Sequence, residues 1–367
     1  MTELTSNIQD IRQRPRREQG VWLTLEPLQR YLSDPDVWEL RINKYQQVVC
    51  ETSKGRIFHD DEKITAEYIS RLTDTLCGYN GLPKESVNNV LLPDGSRGII
   101  CLPPAVLEGT VAIAFRKHLP VDKSLEQLRD EGRFTGWKRK VQGEIALQPF
   151  EQELLELLDK DDLVSFFKIA VRNKLNIVVS GSTGSGKSTF TRSLLREVPY
   201  TERIVVSEDV HEIGSDLHHE MVYMLYGDQD GRLAPAVSLK ACMRLSPDRI
   251  MMTELRDDAA WDYINSLNTG HPGGITSTHA DDAKSTFSRI ALLIKQTGVG
   301  QTLDYDVIMK TLYTTIDVVV YMEHRQIVEV LYDPAFKKSA TFSLKRHWLP
   351  PYFTGLRPRL FLLHRRK

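Results

Sequence analysis

The chain has 367 residues, of which 41% are hydrophobic and 26% charged, so it is long enough to bury two cores of ordinary size. Its formal net charge of −1 gives no overall field that would argue for nucleic acid. No apolar run approaches the roughly 20 residues that span a bilayer, and the polar amino terminus lacks the apolar stretch of a signal peptide. Cys50, Cys77, Cys101 and Cys242 stand singly, with no CxxC pair and no zinc spacing, which reads as reduced thiols in a cytosolic protein.

Residues 1–20 are polar and carry Arg12, Arg14, Arg16 and Arg17 around Pro15, the composition of a flexible basic arm or of a contact to anionic lipid or a partner. Residues 21–122 read as an α+β domain. Trp22, Leu25, Leu28 and Leu32 recur at helical spacing, Val37 to Ile42 alternates as a half-buried strand, and Ile64, Tyr68, Ile69, Leu72 and Leu76 form one helix face. Val90 to Leu92, Gly98 to Leu102 and Val111 to Arg116 then read as strands joined by turns, one of them Pro93-Asp94-Gly95. Residues 123–148 mix charges with Gly132, Gly136 and Gly143 and form the expected interdomain linker; its Trp137-Lys138-Arg139-Lys140 run reads as a solvated, partly helical face.

Residues 149–334 alternate helix and strand. Helices at Leu154 to Leu158 and Leu163 to Val171 lead into the strand Ile177-Val178-Val179, and further strands are expected at Ile204 to Val206, Met221 to Leu225, Ile250 to Met252, Gly274 to Thr278, Ile316 to Tyr321 and Ile327 to Leu331. Helices at Ser238 to Leu245, Asp258 to Leu267 and Lys284 to Lys295 separate them. Such alternation is that of an α/β domain whose ligand lies beyond the carboxyl ends of parallel strands. Residues 335–367 hold no Asp or Glu and interleave basic with aromatic side chains, which suits acidic lipid, nucleic acid, a partner protein or a loosely packed extension.

The chemistry concentrates after Val179. Ser180-Gly181-Ser182-Thr183-Gly184-Ser185-Gly186-Lys187-Ser188-Thr189 has the fixed positions of a P-loop, with an apolar strand before it and a helix after it. Its glycines let backbone N–H groups turn toward phosphate oxygens, Lys187 is placed for the β/γ-phosphates, and the Ser188 hydroxyl for Mg²⁺. A Gly/Ser surface loop that happened to hold a lysine would lack that context. Hydrolysis also needs carboxylates near the γ-phosphate and the metal. Candidates follow two buried strands: Glu208, in Ser207-Glu208-Asp209-Val210-His211-Glu212, and Glu254, in Met252-Thr253-Glu254-Leu255-Arg256. For either alone, an acid that caps the next helix is the plain alternative. His279 follows Thr276-Ser277-Thr278, where a phosphate sensor would stand, although a lone histidine is more often structural.

The order of Gly181 to Ser188, then Glu208-Asp209, then Arg244 to Arg256 ending in Thr-Glu-Leu-Arg, then Ser277-Thr278-His279-Ala280, resembles the secretion-superfamily traffic ATPases. Within them it is most similar to the hexameric ATPase of type IV secretion and conjugation systems, over roughly residues 20–334. The resemblance implies a RecA-like P-loop ATPase domain after a smaller α+β N-terminal domain, ATP and Mg²⁺ as ligands, and a homohexamer in the bacterial cytoplasm. It also implies peripheral association with the inner membrane and partners among the inner-membrane components and coupling ATPases of the secretion apparatus. By position, Lys187 and Ser188 handle phosphate and Mg²⁺, Glu208 and Glu254 supply catalytic or metal-side carboxylates, and His279 senses phosphate or couples subunits. An arginine of the N-terminal domain closes over the nucleotide in this family; Arg116 is the candidate, then Arg97. Two positions depart from the pattern: Thr253 stands where a glycine usually precedes Glu254, and Lys44-Tyr45 replaces a Pro-Gly turn after Ile42-Asn43.

Pilus assembly, pilus retraction and type II secretion ATPases are the alternative readings, the assembly branch disfavoured by the absence of a tetracysteine module. A DNA-binding motor would use the basic ends for direct nucleic-acid binding. A GTP switch is disfavoured because Asn43-Lys44-Tyr45-Gln46 and Asn173-Lys174-Leu175-Asn176 both lack the final Asp of a guanine-reading motif.

Overall fold

The computed structural model describes residues 15–118, 122–139, 146–256 and 259–342. The amino-terminal arm before Pro15 and the basic, aromatic tail after Phe342 lie outside the described residues, as does Lys140. Helix α1 (Arg16–Thr24) already takes up the end of the expected arm, and α2 (Glu26–Leu32) follows. A six-stranded antiparallel sheet then forms from β1 (Val37–Ile42), β2 (Gln47–Thr52), β3 (Gly55–Asp60), β4 (Val87–Leu91), β5 (Arg97–Cys101) and β6 (Ala112–Arg116), in the order β3-β2-β1-β6-β5-β4. Helix α3 (Ala66–Asn80) crosses it, started by Thr65, whose side chain accepts from the Tyr68 N–H, and ended by Gly81 in the left-handed region.

The alternation along β6 assigns the two faces of this sheet. Ile113 and Phe115 point to α1–α3 and join Leu28, Tyr68, Leu72 and Leu76, whereas Ala112 and Ala114 point away. With Ile99 and Cys101, these two alanines enter a second core, shared with Val222, Met224, Leu239 and Cys242 of the other half of the chain. Small side chains there let the sheet approach closely.

The second sheet is seven-stranded: β7 (Ile177–Gly181), β8 (Arg203–Glu208), β9 (Glu220–Leu225), β10 (Arg249–Met252), β11 (Ile275–Thr278), β12 (Val318–Glu323) and β13 (Gln326–Tyr332), in the order β13-β12-β7-β11-β10-β8-β9. All pairings are parallel except the β12–β13 hairpin at the edge. Strands β7, β8, β10 and β11 are buried along their whole length, as near-continuous apolar runs require when helices cover both faces. This is the RecA-like α/β arrangement expected from the sequence.

Besides that core and the bonds of Ala105 and Leu107 to β9, a buried ion network joins the antiparallel sheet to the amino ends of β8, β9 and β10. Arg41 of β1, 1% exposed, donates to Glu220 through Nε at 2.9 Å and Nη2 at 3.0 Å. Arg203, fully buried, donates to the same carboxylate at 2.7 Å and to the Asn43 side-chain Oδ1 at 2.6 Å. Arg56 of β3 adds Asp248 at 2.6 Å and Glu220 at 3.3 Å. Asn43, next to the unusual Lys44-Tyr45, thus belongs to a buried joint, and Gln46 makes the turn at φ +61°.

In the expected linker, helix α4 (Leu125–Asp130) buries none of its residues, and Trp137 is 76% exposed in a non-helical stretch.

Candidate active site

The P-loop leaves the carboxyl end of β7 and enters α5 (Lys187–Leu195). Two of its glycines meet the hairpin, Gly181 with no room for a side chain and Gly186 favoured by its left-handed backbone rather than by want of space. A Cβ on Gly181, at φ +146°, would sit 2.2 Å from the Met322 carbonyl oxygen; one on Gly186, at φ +97°, would sit 3.4 Å from the Arg325 Cα. The β12–β13 hairpin therefore packs directly on the loop. Its turn residues His324 and Arg325 both take positive φ, as a tight two-residue hairpin demands.

A cleft of about 1110 Å³ opens above the carboxyl ends of the strands, lined by Thr183 through Phe190, Glu254, His279 and the hairpin. Lys187 Nζ donates to the carbonyl oxygens of Gly181 at 2.8 Å and Ser182 at 2.9 Å, and lies 3.5 Å from His279 Nδ1. Burial lowers its ammonium pKa, with Glu254 acting the other way. His279 Nδ1 is 3.1 Å from the Gly181 carbonyl, and its Nε2 is 3.1 Å from Glu254 Oε1. The other Glu254 oxygen accepts from Arg256 at 2.5 Å, and Arg256 also reaches Asp209 at 3.1 Å. One polar chain thus runs from Lys187 through His279, Glu254 and Arg256 to Asp209. Thr253 lines the cleft; its N–H donates to the Ser207 carbonyl at 3.2 Å, and its carbonyl accepts from Ser277 at 2.7 Å.

The structure brings together Gly181 to Thr189, Glu254 and His279, but not the other two candidates. Glu208 is fully buried and absent from the lining of the cleft. Burial pushes its carboxyl above the usual range, against the backbone N–H groups of Glu212 and Ile213 and the His211 ring. Arg116 lies at the opposite end of the sheet, donating to Ser246 at 3.0 Å in a separate cleft of about 420 Å³ that also holds Arg97, Arg244 and Glu39. Neither Arg116 nor Arg97 lines the P-loop cleft of its own chain.

Sequence reasoning left out Glu212, whose Oε2 accepts from the Ser188 hydroxyl at 3.0 Å, as well as Asp209, Arg256, Phe190 and the hairpin residues Met322, Arg325 and Ile327. Glu212 carried a readable signal, since it is the third acid in the five residues that begin with Glu208, the last of β8.

Among the described residues, no group of three or more His, Cys, Asp or Glu side chains is arranged to hold a metal alone. The oxygens of Ser188 and Glu212 do suit Mg²⁺, which takes few protein ligands and shares its sphere with substrate phosphates.

Comparison with known proteins agrees with this arrangement. A family model described as type II/IV secretion system protein matches residues 147–331. The type IV secretion system protein VirB11 of Brucella suis is 34% identical over 339 residues, which span 88% of this chain and 93% of that protein. Protein VirB11 of Agrobacterium fabrum is 30% identical over 320 residues, 84% of this chain and 91% of that one. Among solved structures, the VirB11 ATPase from the Brucella suis type IV secretion system, in complex with sulphate, superposes with a TM-score of 0.83 at 34% identity. That match covers 89% of this chain and 98% of the other.

Proposed function

The chain belongs to the type II/IV secretion system protein family, with the VirB11 proteins among its relatives, and from that premise we propose that it is an ATPase that powers type IV secretion. The observation that carries this reading is the polar chain in the cleft, which joins the P-loop lysine to a carboxylate through His279. Lys187 now rests on two carbonyl oxygens, contacts that an entering phosphate replaces with a charge-assisted one. His279, between Lys187 and Glu254, links phosphate occupancy to the carboxylate. Glu254 orients the attacking water or accepts its proton. Mg²⁺, held by Ser188 together with the nucleotide phosphates, would neutralise charge on the transferred group.

The N-terminal sheet is tied to its own ATPase half by a shared apolar core and a buried ion network. Hydrolysis is coupled to movement of these domains, in a homohexameric ring at the cytoplasmic face of the inner membrane. No helix of the described residues is long and apolar enough to cross a membrane. In such a ring Arg116 and Arg97 close on a neighbour's nucleotide.

The test is Mg²⁺-dependent ATP hydrolysis by the full chain. Lys187→Ala abolishes turnover without lowering the melting temperature, and mixing it with Arg116→Ala chains recovers activity above either alone. Undiminished turnover in Lys187→Ala sinks the ATPase reading. Mixing without recovery sinks the shared site.

A further inference from the structure

Strand β10 pairs with β11 at Met252 and Thr276 alone, so the ladder between them has ended before Glu254 turns into the cleft. Something other than regular pairing has to fix that turn. On one side the Thr253 N–H donates to the Ser207 carbonyl of β8 at 3.2 Å. On the other, Ser277 of β11 holds the residues on both flanks of Glu254. Its hydroxyl donates to the Thr253 carbonyl at 2.7 Å, and its own carbonyl accepts from the Leu255 N–H at 2.7 Å. A side-chain donor thus satisfies a carbonyl that the interrupted ladder leaves over. Leu255, 2% exposed in the core with Ile250 and Met252, anchors the far side of the turn.

The same strand end also holds the Glu254 side chain. His279, two residues beyond Ser277, brings its Nε2 to 3.1 Å from Glu254 Oε1. Strand β11 is in turn paired with β7 as far as Thr278 and Ser180, one residue before Gly181 opens the P-loop. The distance of Glu254 from the phosphate cradle is therefore set through β11, and Ser277 is where the backbone around Glu254 is tied to it. Ser277 is 6% exposed and lines the cleft. With its one proton given to Thr253, its hydroxyl has no donor left for a phosphate oxygen.

We propose that Ser277 is a positioning residue for Glu254, a clamp on residues 253–255 that keeps the carboxylate in place when a phosphate draws Lys187 and His279 from their present contacts. This rests on the ATPase reading above and adds to it a residue that acts only through Glu254. A displacement of about 1 Å at a reacting group costs up to about a hundredfold in rate, so the clamp shows in kcat and not in nucleotide binding.

The full chain is assayed at saturating Mg²⁺ with ATP varied, and melting is recorded alongside. Ser277→Ala lowers kcat about tenfold to a hundredfold and leaves KM for ATP close to wild type. The deciding measurement repeats the substitution in a Glu254→Gln chain, with the residual rate read as phosphate release in a single turnover. There Ser277→Ala changes the rate by less than about twofold, because the carboxylate that it positions is already gone. A side chain that only supports the fold, or that binds nucleotide itself, costs the same factor in both backgrounds, and that outcome overturns the proposal. So does an undiminished kcat, or a loss confined to KM. Should Ser277→Ala fail to fold, Ser277→Cys, of similar size but a weak donor, takes its place under the same criteria. Wild-type protein without Mg²⁺-dependent turnover breaks the ATPase reading instead, a result that no Ser277 variant can mimic.

Discussion

The two ends of the parallel sheet both carry arginine–carboxylate networks, and the networks differ in what surrounds them. At the amino ends of β8, β9 and β10, Glu220 is 1% exposed and is surrounded by Arg41, Arg56, Arg203 and Asn43, with no path to a ligand. At the carboxyl ends, Glu254 has Arg256 and His279 as partners but faces an open cleft beside the P-loop lysine. The same chemistry is a joint where it is closed and a working site where it is open to exchange.

The sharpest way to break this contrast is to neutralise one carboxylate at each end. Glu254→Gln should lower ATP turnover by about a hundred- to ten-thousandfold, measured as phosphate release, with the urea midpoint unchanged. A variant that hydrolyses normally would reduce Glu254 to a partner for Arg256. Glu220→Gln should do the reverse. Removing the one charge that several buried guanidinium groups share should cost about 3–5 kcal/mol of stability, read from urea unfolding, while turnover per folded molecule stays near wild type. A negligible stability change would mean that the apolar core of Ile99, Cys101, Ala112 and Ala114 holds the halves together without the ion network.

The same contrast explains what could be read in the sequence. The P-loop, Glu254 and His279 were legible because each follows an apolar strand, and the carboxyl end of a parallel strand can face only the crevice. Glu208 follows such a strand too, yet β8 is buried on both faces, so no alternation says which way its last side chain turns. Hairpin β2–β3 went unread because β3 has no fully buried side chain, although it delivers Arg56 to the joint. The helix Tyr305–Thr315 was also missed, with only Ile308, Leu312 and Thr315 buried along it. Arg325 reaches the P-loop only because β12 lies beside β7, a pairing across about 140 residues that local pattern cannot supply. That Arg116 lies away from the P-loop of its own chain could not be read, because no local pattern says at which end of the second sheet the first one docks.

The smallest expected effect is a dependence on pH that belongs to the closed end. Burial alone would raise the Glu220 carboxyl, but Arg203, Arg41 and Arg56 outweigh it and the net shift is downward. The unfolded chain, with Glu near 4.3, then takes up a proton before the folded chain does. Stability from this group is therefore fully present above that value and is lost as pH falls through the lower, folded one. Urea midpoints of wild type and Glu220→Gln should differ by a constant amount above about pH 5, and the gap should narrow as pH falls below about 4. Glu208 is shifted upward instead, so a narrowing confined to Glu220→Gln marks the joint rather than the site. A gap that stays constant down to pH 3 would mean that the Glu220 charge does not depend on folding, and the ion network would no longer distinguish the two ends of the sheet.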